Sequence, residues 1–246
     1  MEKIITPENI RNFAYHNGEI CVRPIRGIAL SFFGLNNRSM FDEDTDEGIR
    51  YAKEGILFMH PYTQPWAWMN RQAVDYVDEL LDVLFAMYEL AEDTPIVSTG
   101  KSMGGLASLV YMVYAKRTPV AAVANCPVCD LPYHYTERPD LPRTLYSAFY
   151  HYPGTMEEAL LLNSPLHLIK RMPAAEYHVF HCEQDDKVNK AIHSDRFVER
   201  IEKLHPTTYD TVPERGHCDL TEEMQERFFD YVVGAIKRAQ NRQHGK

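Results

Sequence analysis

Apolar and polar positions along this chain switch repeatedly between a strand period and a helix period. Short apolar runs at Gly27–Phe33, Gly55–Met59, Pro95–Val97, Val120–Ala124, Glu176–His181 and Thr207–Val212 read as strands. Between Gln72 and Glu92, Ala73, Val77, Leu80, Leu84 and Met87 recur at helical spacing beside Val74 and Leu81, a core stripe that implies no cofactor. Further helices are predicted over Thr45–Lys53, from about Val188 to Leu204, and over Thr221–Ala239, the last burying Phe228, Phe229, Val232 and Ile236. The Ile10–Val22 region reads as an opening hairpin turning at His16-Asn17-Gly18. Strands alternating with helices predict an α/β fold, a mostly parallel central sheet flanked by helices on both faces. No internal repeat or low-complexity tract interrupts it.

Two segments depart from the alternation. Pro127–Pro173 is far longer than one crossover helix requires, and it is rich in proline and in aromatics: Tyr133, Tyr135, Tyr146, Phe149, Tyr150 and Tyr152. The loop His60–Asn70 holds both tryptophans, Trp66 and Trp68. Lying past a strand's C-terminal end, it is a candidate wall for a ligand pocket; packing of the loop onto its own domain is the alternative.

Composition narrows the function. The chain has 246 residues, suited to one α/β domain (1–246), and a formal net charge of −9, which disfavours nucleic acid and polybasic membrane contact. Its start, Met1–Pro7, is too short and polar for a signal peptide, and the apolar run Gly105–Ala115 is too short to span a bilayer, so a cytoplasmic protein is expected. The five cysteines are an odd number. Cys126 and Cys129 form a C-x-x-C, but no second such pair completes a zinc site, and free thiols at a strand end are expected. The acidic stretch Asp42–Glu47 reads as a solvated helix N-terminus, not a metal site.

One motif carries chemistry. Pro95-Ile96-Val97-Ser98-Thr99 runs straight into Gly100-Lys101-Ser102-Met103-Gly104, a G-x-S-x-G between an apolar strand and an apolar helical pattern. A sharp strand-to-helix turn there exposes the Ser102 hydroxyl above the sheet and points the Met103 N–H at any oxyanion formed on an attacked carbonyl. Gly100-Lys101-Ser102 is not the end of a P-loop, because proline at position 95 replaces the required glycine. Ser98-x-x-Lys101 is not the penicillin-binding motif: Ser98 lies in a strand, and neither K-T-G nor S-D-N occurs.

Further along, the Glu176–His181 strand leads to Asp185, Asp186 and Val188, and the Thr207–Val212 strand leads to Gly216-His217. Serine, acid, histidine in that order, together with His181-x-x-x-Asp185-x-x-Val188 and Ser164-Pro165, resembles the α/β-hydrolase superfamily, particularly its prolyl-oligopeptidase-like and small esterase branches. The resemblance runs from about residue 25 to the C-terminus. It implies Ser102 as nucleophile, His217 as base and Asp185 as the acid, with Asp186 and Asp130 as alternatives. It implies Leu35, after Gly34, as the second oxyanion donor, although Phe33 stands where the family commonly has histidine. Cys182 replaces a common glycine. It also implies that 127–173 forms a small helical cap shaping the substrate pocket, with Tyr133, Trp66 and Trp68 as pocket candidates. His181 is a candidate brace of the acid loop, His16 falls in the hairpin turn, and His60, His134 and His193 read as strand-end, surface or cap residues.

The expected function is a cofactor-free, metal-free serine hydrolase cleaving carboxylic esters through an acyl-enzyme. An exopeptidase or amidase of the prolyl-oligopeptidase-like branch, or a catalytically silent binding member of the fold, are the alternatives. The expected partner is a small-molecule ester or a short peptide; the oligomeric state is open.

Overall fold

The structure, a computed structural model, describes residues 4–244; residues 1–3 of the polar start lie outside it. Seven strands form one sheet in the order β1-β3-β2-β4-β5-β6-β7. They are β1 (Ala14–His16), β2 (Gly27–Phe32), β3 (Ile56–Pro61), β4 (Ile96–Lys101), β5 (Ala121–Asn125), β6 (Glu176–Cys182) and β7 (Thr207–Val212). All pairs are parallel except β1 with β3.

Because strand side chains alternate faces, each strand feeds two cores. Val97, Ala121, Val123 and Phe180 meet α1 (Asp46–Lys53) and α9 (Glu222–His244) on one face. Ile96, Ala122, Ala124 and Val179 meet α2 (Arg71–Met87), α3 (Met103–Tyr114) and α8 (Arg196–Ile201) on the other. Helix α1 starts where Thr45 caps Gly48 N–H at 3.0 Å, and α2 where Asn70 caps Ala73 N–H at 2.9 Å.

Three expectations change. The opening hairpin is absent: β1 pairs instead with β3, so the first strand is an antiparallel edge. Asn17 is buried, and its side chain does not serve a turn. Its amide donates to Gly48 O (2.8 Å) and Ile56 O (3.1 Å), and its oxygen accepts from Phe58 N–H (2.8 Å), which ties the β1 end to β3 and α1. Helix α2 stops at Met87 rather than near Glu92, because Glu89 turns into the left-handed region at φ 50°. The helix expected over 188–204 is a π-turn, Ala191–Asp195, followed by the short α8.

Residues 127–173 form four short helices: α4 (Leu131–Glu137), α5 (Leu141–Phe149), α6 (Met156–Leu162) and α7 (Pro165–Leu168). Asp130 caps α4, accepting from Tyr133 N–H at 3.2 Å. α5 docks on the tryptophan loop, where Trp68 Nε1–H donates to Thr144 Oγ1 (3.1 Å) and Asn70 Nδ2–H to Ala148 O (2.8 Å). Among the described residues, no helix is long and apolar enough to cross a membrane.

Candidate active site

The site is built at the C-terminal edge of the sheet, where β2, β4, β5 and β6 end in loops. The turn from β4 to α3 is forced by its glycines. A Cβ on Gly100 would lie 2.2 Å from Gly104 O, and one on Gly104 would lie 2.2 Å from Phe32 O. With the helix pressed that close to the strands, Ser102 takes φ 58°, ψ −124°, a strained conformation for a residue with a side chain. Its N–H is held by Asn125 O at 2.9 Å, and its carbonyl accepts from Leu106 N–H at 3.1 Å as α3 begins. A strained serine at a helix N-terminus sets its hydroxyl proud of the sheet edge.

The two donor candidates for this site are the Met103 and Leu35 N–H groups. Met103 is the first residue of α3, so its N–H has no intrahelical acceptor. Gly34 passes beside the serine: a Cβ built on it would come 3.9 Å from Ser102 Cβ and 3.7 Å from Lys101 O, and the following Leu35 lines the same cavity as Ser102.

Asp185 and His217 meet at 2.7 Å between Oδ2 and Nδ1. The Asp185 side chain is fully buried, whereas that of His217 is 21% exposed. The other carboxylate oxygen accepts from the Lys187 N–H (2.9 Å) and Val188 N–H (3.0 Å), and His181 Nε2 lies 3.2 Å from Oδ2. Burial alone would raise this carboxyl; the two imidazoles and two amides outweigh it and hold it far below the usual carboxylate range. His181 is itself braced by Ser194 Oγ at 2.6 Å. Asp186 is exposed and pairs with Lys187 Nζ at 2.8 Å, while Asp130 caps α4 and faces Arg196 Nη1 at 3.3 Å. Of the three candidate acids, Asp185 faces the histidine.

For His217, burial works against the charged ring, but the contacts with Asp185 and Cys126 overcome it and raise the imidazole to about 9. Its Nε2 lies 3.5 Å from Cys218 Sγ, and no hydrogen bond joins it to Ser102 Oγ, although both residues line one cavity of about 600 Å³. Hydrogen bonds of this kind are commonly long without substrate.

The cavity's other walls revise the pocket candidates. Trp68 lines it and is buried. Trp66 does not: its indole donates to Asn36 Oδ1 at 2.6 Å and lies under Arg143. Tyr133 does not either; its ring packs edge-on against His193, 5.7 Å between centroids. The cavity is also lined by His134 of α4 and by Arg138, the extended residue that ends the helix. His134 was legible there only once Asp130-Leu131-Pro132 is taken as a helix start.

His134 and His193 are buried rather than on the surface. Glu137 Oε2 accepts from His134 Nδ1 (2.6 Å) and from His193 Nε2 (3.1 Å), and Oε1 accepts from Asn189 N–H (2.8 Å). This cluster fastens α4 to the acid loop. His16 lies in β1 and His60 in β3, both buried; burial, with Lys101 nearby, pushes His60 down to about 3, and its Nε2 has no partner among the described residues.

The sequence matches no protein-family model and no curated protein. Solved structures do match. Esterase B from Lactobacillus rhamnosis aligns over 91% of this chain and 81% of its own at 11% identity, TM-score 0.68. An S-formylglutathione hydrolase from Agrobacterium tumefaciens aligns over 87% and 84% at 14% identity, TM-score 0.67. A puromycin hydrolase aligns over 89% of this chain at 15% identity, TM-score 0.68. The chain spans only about a third of that protein's length, 35%.

The fold is that of the α/β-hydrolases.

In an α/β-hydrolase fold the strand ends gather ligand-facing loops at one edge, and here that edge holds Ser102, Met103, Leu35 and the Asp185–His217 pair. The charged residues lining the cavity are Lys101, Arg138 and Lys187; no carboxylate lines it, in a chain of net charge −9.

Proposed function

We propose that this protein is a serine hydrolase acting on carboxylic esters, with Ser102 as nucleophile, His217 as general base and Asp185 as the acid that orients it. The observation that carries the reading is the buried Asp185 carboxylate, 2.7 Å from His217 Nδ1 in the cavity that also receives the strained Ser102. Serine must lose its proton as it attacks, and a histidine held by a carboxylate is the group that takes it.

In the acylation step Ser102 Oγ forms a bond to the carbonyl carbon while its proton passes to His217 Nε2. The carbonyl π electrons move to oxygen, where the Met103 and Leu35 N–H groups receive the charge. The tetrahedral adduct then expels the alcohol, which leaves with the proton from Nε2. Water repeats the sequence on the acyl-serine and releases the acid. Asp185 keeps Nδ1 protonated and Nε2 free, and stabilises the imidazolium in each step.

An ester substrate is favoured over a peptide because the esterase-type neighbours align over most of both chains, whereas the puromycin hydrolase shares only 35% of its length. Of the cations at the rim, Arg138 is paired with Asp140 (2.6 Å) and Lys187 with Asp186 (2.8 Å); Lys101, which has no ion pair among the described residues, favours esters that carry an anionic group. The helices of 127–173 act as a cap whose α4 and the residue ending it supply the His134 and Arg138 wall. Free cysteines fit a reducing compartment, which supports a cytoplasmic site of action.

A fluorophosphonate probe tests the class. The wild type labels at Ser102, and Ser102→Ala abolishes labelling; undiminished labelling of the variant refutes the assignment. Faster turnover of aminoacyl anilides than of p-nitrophenyl esters favours the exopeptidase alternative.

A further inference from the structure

The end of β5 and the histidine loop gather thiols against the cavity. Cys126 follows β5, Cys182 closes β6 and Cys218 follows His217; Cys126 and Cys182 pack together with Val212, and Cys218 leans on them. The Cys126 Sγ, the Cys218 Sγ and a His217 ring nitrogen all lie within 4.8 Å of one another. Cys218 Sγ is 3.5 Å from His217 Nε2. Around a tetrahedral ion with metal–sulfur bonds of ~2.3 Å and metal–nitrogen bonds of ~2.0 Å, the S···N edge is about 3.5 Å and the S···S edge about 3.8 Å. The Cys218–His217 edge therefore already has the length of a tetrahedral S···N edge, and the other two edges lie within 4.8 Å, about an ångström of closing from it.

The surroundings suit ligation. Asp185 holds His217 Nδ1 at 2.7 Å, which leaves Nε2 as the free ligand atom in a carboxylate–histidine arrangement. The Cys182 N–H donates to Cys126 Sγ at 3.4 Å, an outer hydrogen bond of the kind that steadies a metal-bound sulfur. Two other candidate trios lack this freedom. In Cys126, His181 and Asp185, the carboxylate is already engaged by His217 Nδ1 and the Lys187 and Val188 N–H groups, and both His181 nitrogens are within hydrogen-bond distance of Ser194 Oγ and Val188 O. The third is His134, Glu137 and His193. His193 Nδ1 already accepts from the Cys129 and Asp130 N–H groups at 3.0 and 3.1 Å, and Glu137 serves both imidazoles.

We propose that Cys126, Cys218 and His217 Nε2 form a site for a thiophilic divalent cation, Zn²⁺ foremost, whose occupancy switches the enzyme off. The fourth corner faces the cavity shared with Ser102 and takes water. On binding, each thiol releases its proton to solvent and the two thiolates and Nε2 donate lone pairs; nothing is oxidised or reduced. The ion occupies the nitrogen that must accept the serine proton, so metal binding and acyl transfer exclude each other. The inhibitory consequence rests on the proposed serine mechanism; the site itself does not.

The test uses the whole chain, stripped with a chelator and titrated with Co²⁺ and then Zn²⁺. The wild type and Ser102→Ala each take one equivalent of Co²⁺ with thiolate-to-cobalt charge-transfer bands, which Zn²⁺ erases. In the wild type, saturating Zn²⁺ lowers ester hydrolysis and fluorophosphonate labelling roughly tenfold or more, and chelator restores both. In Cys218→Ser, and in Cys126→Ser where it folds, the bands vanish and half-inhibition moves to roughly tenfold higher Zn²⁺, each variant referred to its own metal-free rate. Absent charge-transfer bands, bands that survive Cys218→Ser, or thiol-bound Zn²⁺ in an enzyme that stays active each overturn the proposal. Full cobalt spectra in a chain that hydrolyses nothing would instead sink the hydrolase reading and leave the metal site standing.

Discussion

Replacing Asp185 with asparagine removes one charge with almost no change of shape, and the structure sets a scale for the loss. The His217 imidazole stands at about 9 against an ordinary 6.5, with burial opposing the charge and the Asp185 and Cys126 contacts supporting it. At ~1.4 kcal/mol per tenfold in acidity, the site favours the imidazolium by about 3 kcal/mol. That cation forms in every proton transfer of the mechanism, so losing most of the stabilisation costs roughly 10²-fold in kcat, and loss of the correct tautomer takes the cost toward 10⁴-fold. The assay is p-nitrophenyl ester hydrolysis across pH for wild type, Asp185→Asn and Asp186→Asn. Only neutral His217 accepts a proton, so wild-type kcat/KM rises with pH and is half-maximal near 9. In Asp185→Asn the midpoint moves down toward the ordinary imidazole value while the plateau falls and KM holds. Asp186→Asn, exposed and paired only with Lys187 Nζ, behaves as wild type. A plateau in Asp185→Asn within a factor of about three of wild type would refute the reasoning.

Gly104→Ala drives a methyl to 2.2 Å from Phe32 O, so helix and strand must part; the variant loses at least the ~1–3 kcal/mol of an overpacked core in denaturant unfolding, and unchanged stability contradicts the close approach. Lys101→Glu, which reverses the rim cation that has no ion pair among the described residues, raises KM roughly tenfold for an anionic ester relative to a neutral isostere, and equal shifts for both substrates remove the charge argument. Glu137→Gln places a donor NH2 either against the two buried imidazole N–H groups or against the Asn189 N–H, lowering stability by roughly 1–3 kcal/mol in urea unfolding and loosening α4, seen as faster amide exchange at Asn189. Because the folded state raises His217, its stabilisation is full below about 6.5 and is lost as pH climbs through about 9; Asp185, held low, stabilises above its ordinary value and loses that contribution in acid. The gap in unfolding free energy between wild type and Asp185→Asn should therefore narrow as pH climbs through about 9, where the His217 charge is lost, and close only in strong acid, where Asp185 itself is protonated; a constant gap across the range contradicts this linkage.

The strand and helix periods alone determined the α/β layering, since an apolar run buried on both faces and an amphipathic stripe have distinct spacings. The elbow was equally local: its glycines sit two residues either side of Ser102, and Asp185 and His217 follow their strands within a few residues. Three things were not local. Asn17-Gly18 carries a hairpin signature, yet β1 turns to β3 because the Asn17 amide finds three partners there from distant segments. Tyr133 and His134 are neighbours in sequence, and only the packing of α4 decides that the tyrosine packs against His193 while His134 and Arg138 line the cavity. Cys126 reads from the sequence as a free thiol at a strand end, paired by spacing with Cys129, and nothing local connects it to Cys218, nearly a hundred residues on. Period and turn chemistry act over a few residues and are written in the chain, whereas which side chains from separate strands share one cavity depends on register and helix docking, and those exist only in the folded molecule.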